Sequence, residues 1–82
     1  MARLTDRQIR DALQEFAEQR GGEKTFCPSE VARALAQDWR PLMDRVREVA
    51  GEEVEAGRLV VLQKGKEVDL ATARGPIRLR QA

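Results

Sequence analysis

Apolar residues at Ile9, Ala12, Leu13 and Phe16 recur at i, i+3, i+4 and i+7, the stripe of a helix that buries one face. Thr5 followed three residues later by Gln8 is a capping-box start, with Leu4 and Ile9 placed as a hydrophobic staple, and Arg20-Gly21-Gly22 is a stop. The pattern predicts a first helix over 5–20. Thr25-Phe26 is long enough for one strand rung, giving a short strand at 25–27. Pro28 suits the first turn of a second helix over 28–37, whose narrow apolar face is Val31, Ala32 and Leu35. Gln37 to Arg40 reads as a connector. Pro41 favours another helix start, with Asp38 or Arg40 as its cap, and Leu42, Val46, Val49, Ala50 and Val54 then share one face of a third helix over 40–56. Gly57 closes it as a left-handed C′ residue.

The period then changes. Arg58-Leu59-Val60-Val61-Leu62-Gln63 is rich in branched residues and predicts a strand over 58–63. Its partner is 76–80, where alternation sends Ile77 and Leu79 to one side and Arg78 and Arg80 to the other, with Pro76 tolerated at the strand's first position. Residues 64–75 connect the two, with a tight turn expected at Gly65-Lys66. Helix, short strand, helix, connector, helix, strand, long basic loop, strand is the order of an α+β winged helix-turn-helix domain: three helices and a C-terminal β-hairpin wing. The chain shows no internal repeat and no low-complexity tract, so 1–82 is predicted to be one domain.

The phrases CPSEVARAL, WRPLM with VREVA, GRLVVLQKG and ARGPIRLR, spread from Ile9 to Arg80, resemble those of an uncharacterised bacterial family of small winged-helix domains known only as a domain of unknown function. The resemblance implies a winged-helix fold and carries over no activity, ligand or functional residue.

Composition narrows the chemistry. A chain of 82 residues with 41% hydrophobic and 35% charged side chains is expected to fold as a soluble domain. A domain of that size buries only about 60–65% of its unfolded surface, so its core is thin. No apolar run approaches the roughly 18 residues of a membrane span, and MARLTDRQ has no signal-like apolar stretch, so a cytoplasmic protein without membrane contact is expected. The single cysteine, Cys27, precludes an internal disulfide and agrees with a reducing compartment. Histidine is absent, which removes imidazole metal ligands and every Ser–His or Cys–His nucleophile, and neither a P-loop nor a dinucleotide fingerprint is present. The expectation is a protein that is not an enzyme and needs no cofactor or metal.

Charge is segregated. Residues 1–57 carry 9 basic and 12 acidic side chains, net −3, whereas residues 58–82 carry 6 basic and 2 acidic, net +4. At 100° per residue, Asp44, Glu48, Glu52 and Glu55 fall on the outward side of the third helix, with Arg45 and Arg47 on its flanks. Winged helices usually read DNA with this helix, and four carboxylates facing a duplex that carries one negative charge per about 1.7 Å of axis would repel it. The carboxylates read either as a solvated face or as a surface for a protein partner.

The wing has the opposite sign. Lys64, Lys66, Arg74, Arg78 and Arg80 are candidates for phosphate contact, unless Arg78 and Arg80 merely keep the outer face of an edge strand wet. The reading is therefore a small regulator-like module that binds DNA or RNA through its basic wing. The alternative is a protein-interaction or dimerisation module using Asp44, Glu48, Glu52 and Glu55, or pairing as a homodimer through a strand edge, with Gly51 outward and open to close approach by another backbone.

Three single residues complete the reading. Trp39, beside Arg40 between the second and third helices, either closes the core or stacks on a base or partner. Cys27, at the start of the second helix, is either a small buried residue or a redox-responsive thiol. Glu53 lies in the apolar sector of the third helix and is expected to form an ion pair with Arg33 or Arg58.

Overall fold

The computed structural model describes residues 4–82; the first three positions of the predicted 1–82 domain lie outside the described residues. Helix α1 spans Asp6–Arg20 and opens on the expected capping box. The Gln8 peptide N–H donates to Thr5 Oγ1 at 3.1 Å, and the Thr5 N–H donates to Gln8 Oε1 at 2.8 Å. Helix α2 spans Pro28–Leu35, shorter than the expected 28–37, because Ala36 turns extended (φ −152°, ψ 145°) and begins the elbow.

The single helix expected over 40–56 is two segments. A 3₁₀ turn, Arg40–Leu42, leads into helix α3, Met43–Glu55. Pro41 has no N–H to donate, and the tight turn closes instead with the Leu42 N–H on the Trp39 carbonyl at 2.9 Å. Neither Asp38 nor Arg40 caps it: the N-cap position is Trp39, with no side-chain bond.

Strands β1 (Leu59–Gln63), β2 (Lys66–Glu67) and β3 (Arg78–Gln81) form an antiparallel sheet in the order β2-β1-β3. In β1–β3, Val61 faces Leu79 and Leu62 faces Arg78. The tight turn sits one residue earlier than expected: Lys64 (φ 54°) and Gly65 (φ 81°) both take positive φ, as a two-residue type I′ hairpin requires. That turn folds Lys66-Glu67 back onto β1 as a strand the periodicity does not mark. β3 begins at Arg78 rather than Pro76, although Ile77 is already buried.

The strand expected at 25–27 is a single rung. Phe26 and Leu79 exchange both backbone hydrogen bonds, at 2.8 and 2.7 Å, on the side of β3 away from β1. β3 remains an edge of the sheet, and this one rung covers it only at Leu79. This topology, three helices with a C-terminal antiparallel sheet, is the winged helix-turn-helix.

The core gathers Ile9 and Leu13 of α1, Val31 of α2, Val46 and Val49 of α3, Val61 of β1 and Leu79 of β3, with Phe26 at 0% exposure among them. Phe16 packs on Phe26 with ring centroids 5.7 Å apart. The sheet's inner face and the three helical stripes thus close on one another around this core. Among the described residues no helix is long and apolar enough to cross a membrane.

Candidate nucleic-acid interface

The connection from β2 to β3 is a built structure. Asp69 starts a helical turn: its Oδ1 accepts from the Ala71 N–H at 3.0 Å, and its carbonyl accepts from the N–H groups of Thr72 and Ala73 at 3.1 and 2.9 Å. The turn seats Leu70 against α3, where a Cβ added to Gly51 would lie 3.5 Å from Leu70 Cδ2. Gly51 is therefore covered by the chain's own wing, which corrects the expectation that it stands open to another backbone. Farther on, the Gln63 amide donates to the carbonyls of Arg74 at 2.5 Å and Pro76 at 3.2 Å, pinning the returning loop beside the end of β1.

That pinning brings three of the five candidate cations together. Lys64, Arg74 and Arg78 line one open groove of about 420 Å³, with Gln63, Pro76 and Ile77 as its other walls. Lys64 and Arg74 are both exposed at its rim, and among the described residues neither pairs with a carboxylate. Arg78 is different. Its guanidinium donates to Thr25 Oγ1 at 3.0 Å, to the Thr25 carbonyl at 3.1 Å and to Cys27 Sγ at 3.4 Å, so it holds the Phe26 rung on β3 while edging the groove.

Lys66 and Arg80 lie outside the groove. Lys66 is exposed on β2 opposite Gln63, and half-buried Arg80, opposite Val60, bonds the Gln81 carbonyl at 3.2 Å. Sequence reasoning missed Gln63, whose role depends on where the loop returns and leaves no periodic signal.

The carboxylates of α3 face outward as expected: Asp44, Glu48, Glu52 and Glu55 are all exposed. Glu52 pairs with Arg10 of α1 at 3.0 Å, and flanking Arg45 is drawn away to Asp6 at 2.9 Å and the Leu4 carbonyl at 2.8 Å. Glu48 and Glu55 border a second groove, of about 310 Å³, which Arg47 also lines, with Asp69 of the wing turn on its far side and Val54 and Leu70 within it.

The remaining charged groups serve the fold. Glu53, at 0% exposure, accepts from Gln14 Nε2 at 2.7 Å and from Arg58 Nε and Nη2 at 2.7 and 2.5 Å. Of the two expected partners it takes Arg58. Gly57, at φ 79°, turns the chain so that Arg58 reaches back over the end of α3, where its own N–H also bonds the Glu53 carbonyl at 2.9 Å. Burial works against the ionised Glu53, but the hydrogen bonds from Arg58 and Gln14 outweigh it and hold the carboxyl below the ordinary glutamate range, while the pair raises Arg58.

Glu30 is likewise held low. The Cys27 N–H bond, at 2.7 Å, is the main cause; burial opposes it, and Arg20, at 2.7 Å, adds to the lowering. Cys27 itself is half-buried, with Sγ 3.9 Å from the Ile77 carbonyl. Among the described residues no group of three or more histidine, cysteine, aspartate or glutamate side chains is placed to hold a metal ion.

Arg33, the other expected partner of Glu53, goes elsewhere. Its guanidinium carbon lies 4.5 Å from the ring centroid of Trp39, and that of Arg40 lies 4.9 Å from the same centroid. Trp39 is half-buried against the core, so its ring contributes to packing and still underlies two surface cations.

A family model described as "Protein of unknown function (DUF3253)" matches residues 6–82, and the chain belongs to that family. No curated protein matches the chain.

Proposed function

We propose that this family member is a non-enzymatic, regulator-like module of the bacterial cytoplasm that binds the backbone of a nucleic acid through its wing. The observation that carries this reading is the groove in which Lys64 and Arg74, neither paired with a carboxylate among the described residues, stand beside Arg78. Backbone binding needs fixed cations that are not already neutralised, because its free energy comes from releasing counterions condensed on the phosphates. The Gln63 tie supplies the fixing. Lys66 and Arg80 add positive charge around the groove without lining it. Exposed Asp44, Glu48 and Glu55 argue against insertion of α3 into a major groove and favour contact through the wing.

An electrophoretic shift assay at low and moderate salt tests the proposal. The wild-type chain is expected to shift an oligonucleotide at low salt, and Lys64→Gln with Arg74→Gln to lose most of the shifted band. Arg78 is a poorer probe, since its loss would also remove the bonds it makes to Thr25 beside the Phe26 rung. An unchanged shift in the double variant would refute the wing as the contact.

A second reading is favoured by the groove beside α3: Glu48, Glu55 and Asp69 outnumber Arg47 around Val54 and Leu70 and suit a basic segment of a protein partner or a second copy of the chain. Glu48→Lys with Glu55→Lys would abolish that interaction and leave the shift assay intact or strengthened.

A further inference from the structure

We infer that the nucleic acid this chain takes is single-stranded, and that one of its bases stacks at the elbow between α2 and α3 on the guanidinium groups held over Trp39. The inference rests on the nucleic-acid reading above and deepens it by naming the class of ligand.

Arg33 leaves the exposed side of α2 and Arg40 opens the 3₁₀ turn, and the two converge on one indole at 4.5 and 4.9 Å. Both are exposed, and among the described residues neither makes an ion pair, although Asp38 and Asp44 are close in the chain. Two like charges held against one ring repel each other, and an anion bound beside them would relieve that repulsion. A guanidinium fixed on an aromatic ring presents a cationic, weakly hydrated plane, which stacks on nucleobases and bonds phosphates at its edge. The elbow can therefore take both halves of a nucleotide.

Base faces are open to such stacking only when a strand is unpaired. A duplex offers this surface its backbone alone, and the helix that would have to enter its groove is obstructed twice. Asp44, Glu48 and Glu55 line its exposed side, and Leu70 of the wing turn sits over Gly51 at its middle. A single strand needs neither groove entry nor a straight axis, and it can touch the elbow and the wing as separate backbone and base contacts.

The sequence supplies its own probe. Trp39 is the only tryptophan and tyrosine is absent, so intrinsic emission reports on the elbow alone. The full chain is titrated with a mixed-sequence oligonucleotide as single-stranded DNA, as single-stranded RNA and as the DNA duplex, at one fixed salt concentration, following both Trp39 emission and the anisotropy of a labelled strand. Arg33→Gln and Arg40→Gln are measured alongside, with thermal melts to establish that both fold.

One or both single strands are expected to change Trp39 emission saturably and to bind at least about tenfold more tightly than the duplex. Each variant should weaken that binding by about fivefold or more, the low end of what a stacked base contributes. Duplex binding as tight as single-strand binding would overturn the inference. So would single-strand binding that leaves Trp39 emission and both variants' affinities unmoved, and the wing reading would then stand if Lys64→Gln and Arg74→Gln still weaken binding. Failure of every nucleic acid to bind would overturn both.

Discussion

Arg58 and Lys64 stand at the two ends of β1, and their surroundings differ. Half of the Arg58 side chain, 52%, is exposed, yet its Nε and Nη2 donors meet on one oxygen of a Glu53 that is 0% exposed and also fixed by Gln14. Lys64 turns the hairpin at positive φ, and its neighbours across the groove are Arg74 and Arg78. At the entry end the cation offsets the cost of a buried carboxylate, so its charge is committed to the fold. At the exit end no carboxylate of the described chain answers the charge, and the backbone is fixed by Gln63. Charge sign is the same at both ends; what differs is that a buried carboxylate pairs with Arg58, whereas among the described residues none pairs with Lys64.

The contrast would fail first if the wing were a detachable arm. Ile77 is only 2% exposed although it borders the wing groove, so Ile77→Ala should cost about 2–5 kcal/mol in chemical denaturation. A cost near zero would mean that the exit end does not belong to the same cooperative body. Arg58→Met should lower Tm by an amount on the order of 5 °C or more, because it leaves Glu53 ionised and buried with Gln14 as its remaining side-chain donor. Glu53→Gln combined with Arg58→Met should recover part of that loss, and no recovery would point to the packing of the Arg58 stem instead.

Acid sharpens the same comparison. Glu53 and Glu30 both have folded-state pKa values below the ordinary range, so the stability they add is present above the unfolded glutamate value near 4.3 and is lost as pH falls through the lowered folded values. Melts between about pH 6 and about pH 3 should show that decline, and Glu53→Gln should make it shallower. An identical slope in the variant would remove Glu53 from the account.

How much of this is legible in the chain varies by residue. Thr5 with Gln8 and the outward Asp44, Glu48, Glu52 and Glu55 follow from local period and capping, which need no tertiary information, and the structure has them as expected. The pairing of β3 with β1 likewise follows from Ile77 and Leu79 alternating with Arg78. The partner of Glu53 narrows to two residues and no further, because the choice turns on how Gly57 aims Arg58.

β2 escapes a reading by period since two residues have none, and its existence rests on a lysine adopting positive φ. The Leu70 contact with Gly51 and the Gln63 tie are set by the path of a returning loop, where spacing carries no information. In the sequence only Arg78 and Arg80 stand apart, by their place on a strand, whereas the fold groups Lys64, Arg74 and Arg78 while committing Arg78 to Thr25.

Smaller effects probe the boundary between the two regions. Gly51→Ala should stabilise by up to about 1 kcal/mol, since α3 gains a better helix former and the new methyl meets Leu70 at an ordinary contact distance of 3.5 Å. Destabilisation would mean that the wing turn presses closer to α3. Lys64→Gln should change stability by no more than about 0.5 kcal/mol, as expected where a surface charge supports no native contact. A larger loss would place Lys64 with Arg58 among the structural cations.

The most direct test of the central contrast is the salt dependence of nucleic-acid affinity, measured for the wild-type chain, Lys64→Gln with Arg74→Gln, and Arg58→Met at a temperature where all three are folded. The expected result is a steep wild-type plot of log K against log salt, a slope shallower by roughly 0.7–0.9 for each phosphate that the wing variant no longer neutralises, and an unchanged slope in Arg58→Met. Equal slopes in the wild type and the wing variant, or a slope that falls only when Arg58 is removed, would contradict it.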